Sequence, residues 1–273
     1  MSASTHYKPC LLPETAEIAL TEIKRYIEPR LMDEFQLRRV SAPMFLPAGS
    51  PLIDRRYHGA KVHLDGTNTE VEIVASLDIW LRSCLRRFDT APGFGVFTIM
   101  NAMRPDIVPS PTTGVHVAAW SWQQAIRSDE TTENTLVGSA NRLYAQLLAT
   151  EQHIIELFPH MHPTLHKSLD ILTDDTLEKM MPLNSRERRI YEYLHPKRDI
   201  KPGDRHCAAL FLCRGKGSNL AEGEMWVWNR RANRPLQIAD IGLWHADSIA
   251  PASVGGNVYR HQLAMQLLHQ DEI

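Results

Sequence analysis

The stretch that decides the fold is FGVFTIMNAMRPDIVPSPTTGVHVAAWSW, residues 94–122. Both of its ends are apolar and rich in β-branched or aromatic residues, which predicts strands over residues 94–103 and 114–122. Between them lie Arg104-Pro105-Asp106 and a proline-rich loop. Proline favours turns and cannot continue a strand ladder, so the segment indicates two strands joined by a loop that begins with an arginine.

Other segments carry the periodicity of helices and strands. Apolar residues near the helical period predict helices over residues 13–34, with an interruption near Pro29, and 133–157. Alternating residues on either side of Asp65-Gly66-Thr67-Asn68 predict a hairpin of residues 61–64 and 70–74. We also expect a strand bearing Pro43 over 37–46, helices over 76–88 and 185–193 (the second within a polar, mixed segment, 160–201), strands over 208–213, 225–229 and 236–241, and a helix over 258–269 opened by Gly255-Gly256. This order indicates an α+β fold in a single domain, residues 1–273, and not alternating βαβ units.

Composition excludes several classes of function. Lys and Arg number 30 against 32 Asp and Glu, so there is no basic field for nucleic acid or an anionic membrane. The four cysteines show no metal-binding or disulfide spacing. The first nine residues have no basic region followed by an apolar run, so we expect no signal peptide, and no apolar run of about eighteen residues predicts a membrane span. We therefore expect a cytoplasmic protein without nucleic-acid or membrane partners.

Six short motifs are spread along residues 12–268. They are Ser41-Ala42-Pro43, Ser76-Leu77 with Trp80, Met103-Arg104-Pro105-Asp106, Trp120-Ser121-Trp122, Gly223 to Asn229, and Ser253-Val254-Gly255-Gly256. In this order and spacing they resemble the ammonia-dependent asparagine synthetases, as a shortened and divergent relative. The resemblance implies a class II aminoacyl-tRNA synthetase-like antiparallel sheet flanked by helices. It also implies a homodimer joined through the strand around Pro43.

The reaction that the resemblance implies has two steps and uses ATP and Mg²⁺. ATP converts the side-chain carboxylate of aspartate into an acyl-adenylate, and ammonia then displaces AMP. A carboxylate needs this activation because it is a poor electrophile until one oxygen becomes a good leaving group. The enzyme must also stabilise the charge that develops at the α-phosphate.

Two charged residues match the family's substrate site. Arg104 matches an arginine that clamps a carboxylate and an α-phosphate oxygen through its planar guanidinium. Its other interpretation is a strand end paired with Asp106. Asp54 matches an aspartate that holds the substrate's α-ammonium. The alternative for Asp54 is an ion pair with Arg55 or Arg56.

Three smaller residues also match the family, and each has a simple structural alternative. Ser76 falls at a substrate-site serine, but it also suits the cap of a helix. Gly255 and Gly256 match glycines that let the backbone approach the nucleotide and ligand, but a glycine pair can also simply turn the chain.

The nucleotide site departs from the family pattern. Gln262 replaces the arginine that packs on adenine and contacts the triphosphate, and it offers neither the charge nor the cation–π stacking. Arg260 lies two residues earlier, nearly opposite on a helix, and substitutes only if the helix start shifts. Gln237 replaces a glutamate that holds magnesium. Glu224 and Asp240 are the remaining candidate metal ligands.

The acyl site departs as well. Leu81 replaces a lysine, Ala118 and Ala119 replace polar residues, and Trp244 replaces an arginine. These changes make the predicted acyl pocket larger and less polar.

Two hypotheses about function follow from the matches and the departures. One is an amide-forming ligase that activates aspartate or an analogue with ATP for attack by ammonia or another amine. The other is an ATP-incompetent paralogue that binds an amino acid in a regulatory role or performs a non-adenylating reaction.

Overall fold

The two strands of residues 94–122 lie inside a large sheet. The computed structural model describes residues 10–110, 112–196, 209–216 and 219–270. Its helices are α1 (Pro13–Glu34), α2 (Asp78–Arg87), α3 (Glu133–Leu157), α4 (Asp174–Met180), α5 (Arg186–Leu194) and α6 (Arg260–Leu268). Its strands are β1 (Leu37–Arg39), β2 (Phe45–Pro47), β3 (Lys61–Leu64), β4 (Thr69–Ile73), β5 (Gly95–Met103), β6 (His116–Ala125), β7 (Leu169–Thr173), β8 (Ala209–Lys216), β9 (Asn219–Asn229), β10 (Arg234–Trp244) and β11 (Ser253–Tyr259).

The larger sheet has eight strands in the order β1-β5-β6-β11-β10-β9-β8-β7. Its inner pairs are antiparallel, and the two outermost pairs, β1 with β5 and β7 with β8, are parallel. A second sheet has the order β2-β4-β3 and contains the expected hairpin. The prediction of an α+β fold with a mainly antiparallel sheet between helices is confirmed.

Each face of the large sheet has its own helices. One face packs against α1, α3 and α6, with Trp120 and Trp122 of β6 among its buried residues. The other face is covered by α2 at one end, where Leu81 and Leu85 are buried. At the other end of the sheet, α4 and α5 cover this same face, and Leu177 of α4 is buried there. The surface between these two groups of helices is left open for a site.

The first helix runs without a break through Pro29. Its buried residues Ala19, Ile23, Ile27 and Leu31 recur every four residues and form one face against the core. A proline inside a helix removes one backbone hydrogen bond. Here buried residues on both sides of Pro29 hold the helix against the sheet, so the expected interruption is absent.

Pro43 does not lie in a strand, so that expectation is wrong. The segment that was expected to form one strand over 37–46 instead contributes β1 to the large sheet and β2 to the small one. Val40 makes the last backbone bond to β5, through its N–H to the Phe97 oxygen at 2.8 Å. Pro43 then lies in the connection that crosses between the sheets, where its missing N–H breaks no ladder.

Gly255 and Gly256 also lie elsewhere than expected. They do not open a helix; both are inside β11, and α6 begins at Arg260. A Cβ added at Gly255 would lie 2.4 Å from the Trp122 oxygen, and one at Gly256 would lie 2.1 Å from the Asp240 oxygen. The pair therefore permits a close approach of neighbouring strands.

Two further expectations can be compared with the structure. Cys84 and Cys213 are free thiols, and Cys207 lies outside the described residues. Among the described residues, every helix falls short of the length and hydrophobicity that a membrane span needs.

Candidate functional site

Two adjoining cavities open on the sheet face between α2 and the α4–α5 pair. The first has a volume of about 280 Å³ and is lined mainly by charged and aromatic side chains. The second has a volume of about 210 Å³ and is lined by Ile107, Thr112, Val117 and Gln262, among others. Arg104, Gln237 and Tyr259 line both cavities.

Arg104 is held in the wall between the two cavities. Its Nε donates to the Ala75 oxygen at 2.9 Å, and its guanidinium carbon lies 3.9 Å from the centre of the Tyr57 ring. The backbone N–H of Arg104 donates to the Val115 oxygen at 2.8 Å, and this bond closes the loop between β5 and β6. The bond from Nε and the stacking on Tyr57 fix the plane of the guanidinium. Its two terminal nitrogens can therefore donate to ligands in either cavity.

Asp54 lies behind the first cavity, paired with Arg56. Its carboxylate is 3% exposed and accepts from the Arg56 backbone N–H at 3.0 Å, from Nε at 3.1 and 3.2 Å, and from Nη2 at 2.7 Å. The hydrogen bond with Asp54 raises the pKa of Arg56 above its already high value. Of the two interpretations of Asp54, the structure shows the ion pair. Arg56, and not Asp54, lines the cavity.

A buried polar network forms the floor of the first cavity. Asn257 Nδ2 donates to Asp240 at 2.9 Å and to Asp78 at 3.3 Å, and it thereby bridges two carboxylates. The Tyr259 hydroxyl donates to the other oxygen of Asp240. Burial, and then the charge of Asp78, raise the pKa of Asp240 to about 6. Burial also raises the pKa of Asp78, although Arg56 opposes the shift.

Ser76, Gly255 and Gly256 support the site from behind. Ser76 is buried, and its hydroxyl accepts from the Asp78 N–H at 3.2 Å where α2 begins. This contact is a local turn that precedes α2 and is not a helix cap, because the N-cap residue is Leu77 and no side chain caps the helix. The two glycines let β11 approach β6 and β10 closely, and β11 carries Asn257 and Tyr259 to the cavity.

Glu224 is engaged by two arginines. It accepts from Arg186 Nη2 at 2.8 Å and from Arg214, and the Trp226 indole donates to it at 3.0 Å. Asp240 is its register partner on β10, but its oxygens accept from Asn257 and Tyr259. Within the described ranges there is no group of three or more acidic, His or Cys side chains that could hold a metal.

Gln262 and Arg260 lie on different sides of the start of α6. Gln262 lines the second cavity, and its Nε2 is 3.4 Å from the Thr112 oxygen. Arg260 lines neither cavity; its Nη2 contacts Asn101 at 3.2 Å and its Nε is buried without a partner. The helix start has therefore not shifted to bring Arg260 into the position of Gln262.

Comparison with known proteins decides the family. A sequence profile described as aspartate–ammonia ligase matches residues 14–201. The chain belongs to the aspartate–ammonia ligase family. Two relatives bear that name. The one from Bacteroides thetaiotaomicron is 28% identical over 98% of this chain and 79% of its own length. The one from Ruminiclostridium cellulolyticum is 36% identical over 67% of this chain and 56% of its own length.

Solved structures confirm the fold. An asparaginyl-tRNA synthetase from Entamoeba histolytica, solved in complex with asparaginyl-adenylate, superposes with a TM-score of 0.65. The match covers 95% of this chain and 65% of that synthetase, at 10% identity. The expected class II synthetase-like fold is therefore confirmed. The chain spans little more than half the length of the Ruminiclostridium ligase and slightly under two thirds of the synthetase.

Sequence reasoning about this ligase-family chain missed several residues of the first cavity. Arg56 was considered only as a possible partner of Asp54, and Tyr57, Asp78 and Tyr259 were not considered as site residues. The turn-rich segment of residues 49–59, which predicts an active-site loop, was a signal for Arg56 and Tyr57, because loops often carry binding residues. Asp78 follows Ser76-Leu77 directly, so its place at the start of α2 was a further signal.

Proposed function

We propose that this member of the aspartate–ammonia ligase family is an amide-forming ligase. It would activate the carboxylate of aspartate or an analogue with ATP, for attack by ammonia or another amine. One observation carries the proposal: Arg104 lies in the wall between two adjoining cavities and lines both of them. A single cation that contacts both the acid and the nucleotide can orient the two reactants of an adenylation and stabilise the charge that develops between them.

The chemistry assigns a simple task to each cavity. A carboxylate oxygen of the acid in the first cavity attacks the α-phosphorus of ATP in the second, and pyrophosphate leaves. The amine nitrogen then attacks the acyl carbon, AMP leaves, and the amine loses a proton. Arg104 would bind the carboxylate and an α-phosphate oxygen through separate nitrogens, which orients the reactants and stabilises the developing charge.

The described residues around the two cavities do not fit a strong Mg²⁺ site. Mg²⁺ prefers carboxylate oxygens in an octahedral arrangement. Glu224 is engaged by Arg186 and Arg214, and Gln237 offers a neutral amide. We therefore assign no step of the proposed reaction to a metal held by the protein.

ATP–pyrophosphate exchange tests this function. The unaltered protein should catalyse exchange with at least one acid of a broad panel. Arg104→Ala should abolish the exchange, while Arg260→Ala, which removes an arginine outside both cavities, should retain it. Absence of exchange with folded protein across the panel would refute the proposal.

A second candidate is an ATP-incompetent paralogue that binds an acid in a regulatory role. The observation that favours this candidate is the charge of the second cavity. Among the described residues that line this cavity, Arg104 is the one with a cationic side chain. The discriminating measurement is thermal melting, because a ligand of the native state raises its stability. Stabilisation by acids but not by Mg-ATP would support this candidate, and stabilisation by sub-millimolar Mg-ATP would oppose it.

We further propose that the chain forms a homodimer through the region around Pro43. β1 is an edge strand of the large sheet, and Met44 and Phe45, just beyond Pro43, are 69% and 52% exposed. Phe45 begins β2, an edge strand of the small sheet, so a two-fold contact here would cover exposed apolar side chains beside two sheet edges. Light scattering at micromolar concentration should give a dimer mass, and Met44→Asp or Phe45→Asp should lower it; a monomeric mass for the unaltered protein would exclude the dimer. A cytoplasmic location and the absence of nucleic-acid and membrane partners stay predictions.

A further inference from the structure

Arg56 is a cation built into the site where a substrate ammonium was expected. Its guanidinium donates to Asp54 through Nε and Nη2, and Nη2 also reaches Asp78 at 3.1 Å. Asp54 and Asp78 are only 3% and 5% exposed. The two buried carboxylates therefore already share a positive partner that belongs to the protein.

This arrangement disfavours a ligand that brings a second positive charge. An ammonium group that approached Asp54 would have to displace Arg56 or lie beside it. Displacement would break the ion pairs that Arg56, whose side chain is 47% exposed, makes with two buried carboxylates, and proximity would place like charges in a partly buried site. The cavity has three other carboxylates, and each already faces a guanidinium: Asp240 faces Arg104, Glu224 is paired with Arg186 and Arg214, and Glu222 lies 3.5 Å from Arg214. An ammonium at any of them would meet a positive charge that belongs to the protein. Repulsion of this kind is an effective source of specificity.

Arg56 and Arg104 are placed to bind two anionic groups of one small molecule. Both line the first cavity, and their guanidinium carbons lie 5.6 and 3.9 Å from the centre of the same Tyr57 ring. The two cations are therefore less than ten ångströms apart. A short molecule with an acid group at each end can reach both.

The outer nitrogen of Arg56 is available for such a contact. Nη1 is 3.6 Å from Glu222, which is longer than a hydrogen bond. Glu222 also lies 3.5 Å from Arg214, so it keeps a cationic neighbour if Arg56 turns to a ligand. The Asp54 and Asp78 contacts hold the other side of the guanidinium in place.

We propose that the acid bound in the first cavity is a small dicarboxylic acid without a free ammonium group, with one carboxylate on Arg104 and the other on Arg56. The proposal rests on the proposed function, because it takes Arg104 as the residue that binds the reacting carboxylate. Arg56 is then the residue that selects the class of acid.

Thermal melting at pH 7.5 without ATP tests the selection, with succinate and L-aspartate as probes. The unaltered protein should bind succinate about tenfold or more tightly than L-aspartate. Arg56→Gln should lose most of the succinate affinity and the preference. Arg56→Lys, which keeps the positive charge, should retain the preference. Arg55→Ala is the matched control, because Arg55 is the exposed neighbour of Arg56, and it should behave like the unaltered protein.

Several outcomes would overturn the selection by Arg56. They are equal or tighter binding of L-aspartate to the unaltered protein, an unchanged preference in Arg56→Gln, and no stabilisation by either acid. If Arg56→Gln fails to fold, the preference for succinate over L-aspartate can still be tested with the unaltered protein and Arg56→Lys. The proposed function fails separately: a succinate preference without ATP–pyrophosphate exchange would refute the ligase alone, and exchange with aspartate but not succinate would refute the selection alone.

Discussion

The two cavities that share Arg104 differ sharply in charge. The first contains Arg56 and Arg214 together with four carboxylates, and its charged groups bond to each other. The second is walled by apolar and neutral polar side chains, with Gln262 at one side. Under the proposed function, the first cavity is the acid half of the site and the second is the nucleotide half. The acid half is rich in ion pairs, whereas Arg104 is the one cationic side chain among the described residues that line the nucleotide half.

The largest expected effect comes from the residue that the two cavities share. Arg104→Ala should weaken binding of ligands in both cavities and lower ATP–pyrophosphate exchange by about a hundredfold or more, because it removes the contact to the developing charge. Titration of acid and nucleotide separately, by thermal melting, measures the two halves. An effect confined to one ligand would show that Arg104 serves a single cavity.

The pH dependence of stability tests the acid half alone. The folded pKa of Asp240 is raised from 3.8 to about 6, so the folded protein binds this proton more tightly than the unfolded chain. Its contribution to stability is therefore present at low pH and is lost as the pH rises from about 4 to about 6. Asp240→Asn should remove this loss, which is at most about 3 kcal/mol in the free energy of unfolding.

Urea unfolding at several pH values measures this difference. Asp106→Asn is the control, because it removes an exposed carboxylate in the β5–β6 loop. It should keep the pH-dependent loss of the unaltered protein. Parallel curves for Asp240→Asn and the unaltered protein would contradict the raised pKa.

Restoring a charge tests the nucleotide half. Gln262→Arg should tighten ATP binding by about tenfold, because an arginine there adds a charge-assisted contact to a phosphate or stacks on the base. His261→Arg adds the same charge one residue away, outside the second cavity, and should give little gain. Isothermal titration calorimetry with ATP measures the affinity of both variants. Equal gains would point to a general charge effect, and no gain would argue against a nucleotide in this cavity.

The smallest expected effect concerns Mg²⁺. Without nucleotide, Mg²⁺ should change the melting temperature by less than about one degree, because Glu224 is already engaged by Arg186 and Arg214. A clear stabilisation by Mg²⁺ that Glu224→Gln abolishes would show that a metal can displace those arginines. It would also remove part of the contrast between the two cavities.

Most elements with a strong local pattern could be predicted from the sequence. The bounds of α1 and α3 agree with the apolar periodicity, and the β3–β4 hairpin follows from its turn residues. β7 was missed because it lies in a polar, mixed segment. Its residues are only partly buried, and it pairs in parallel with β8 about forty residues later, so no local signal marks it.

The candidate site was predictable only where one residue could be matched to a family motif. Arg104 and Gln262 could be found in this way, and the structure places both at cavities. Asp54 was also found, but its partner could not be chosen, because Arg55 and Arg56 are equally close in sequence. The choice depended on which side chain the loop turned towards Asp78 on α2.

The sequence by itself determined the class of fold, the main helices and strands, and membership of the ligase family. These depend on local periodicity and on motif order, and both are written along the chain. Only the tertiary structure decided that Gly255 and Gly256 belong to a strand and that one guanidinium joins Asp54 to Asp78. The bridge between Asp78 and Asp240 was likewise decided by the fold. Such contacts join residues far apart in sequence, and their geometry depends on packing that no local pattern records.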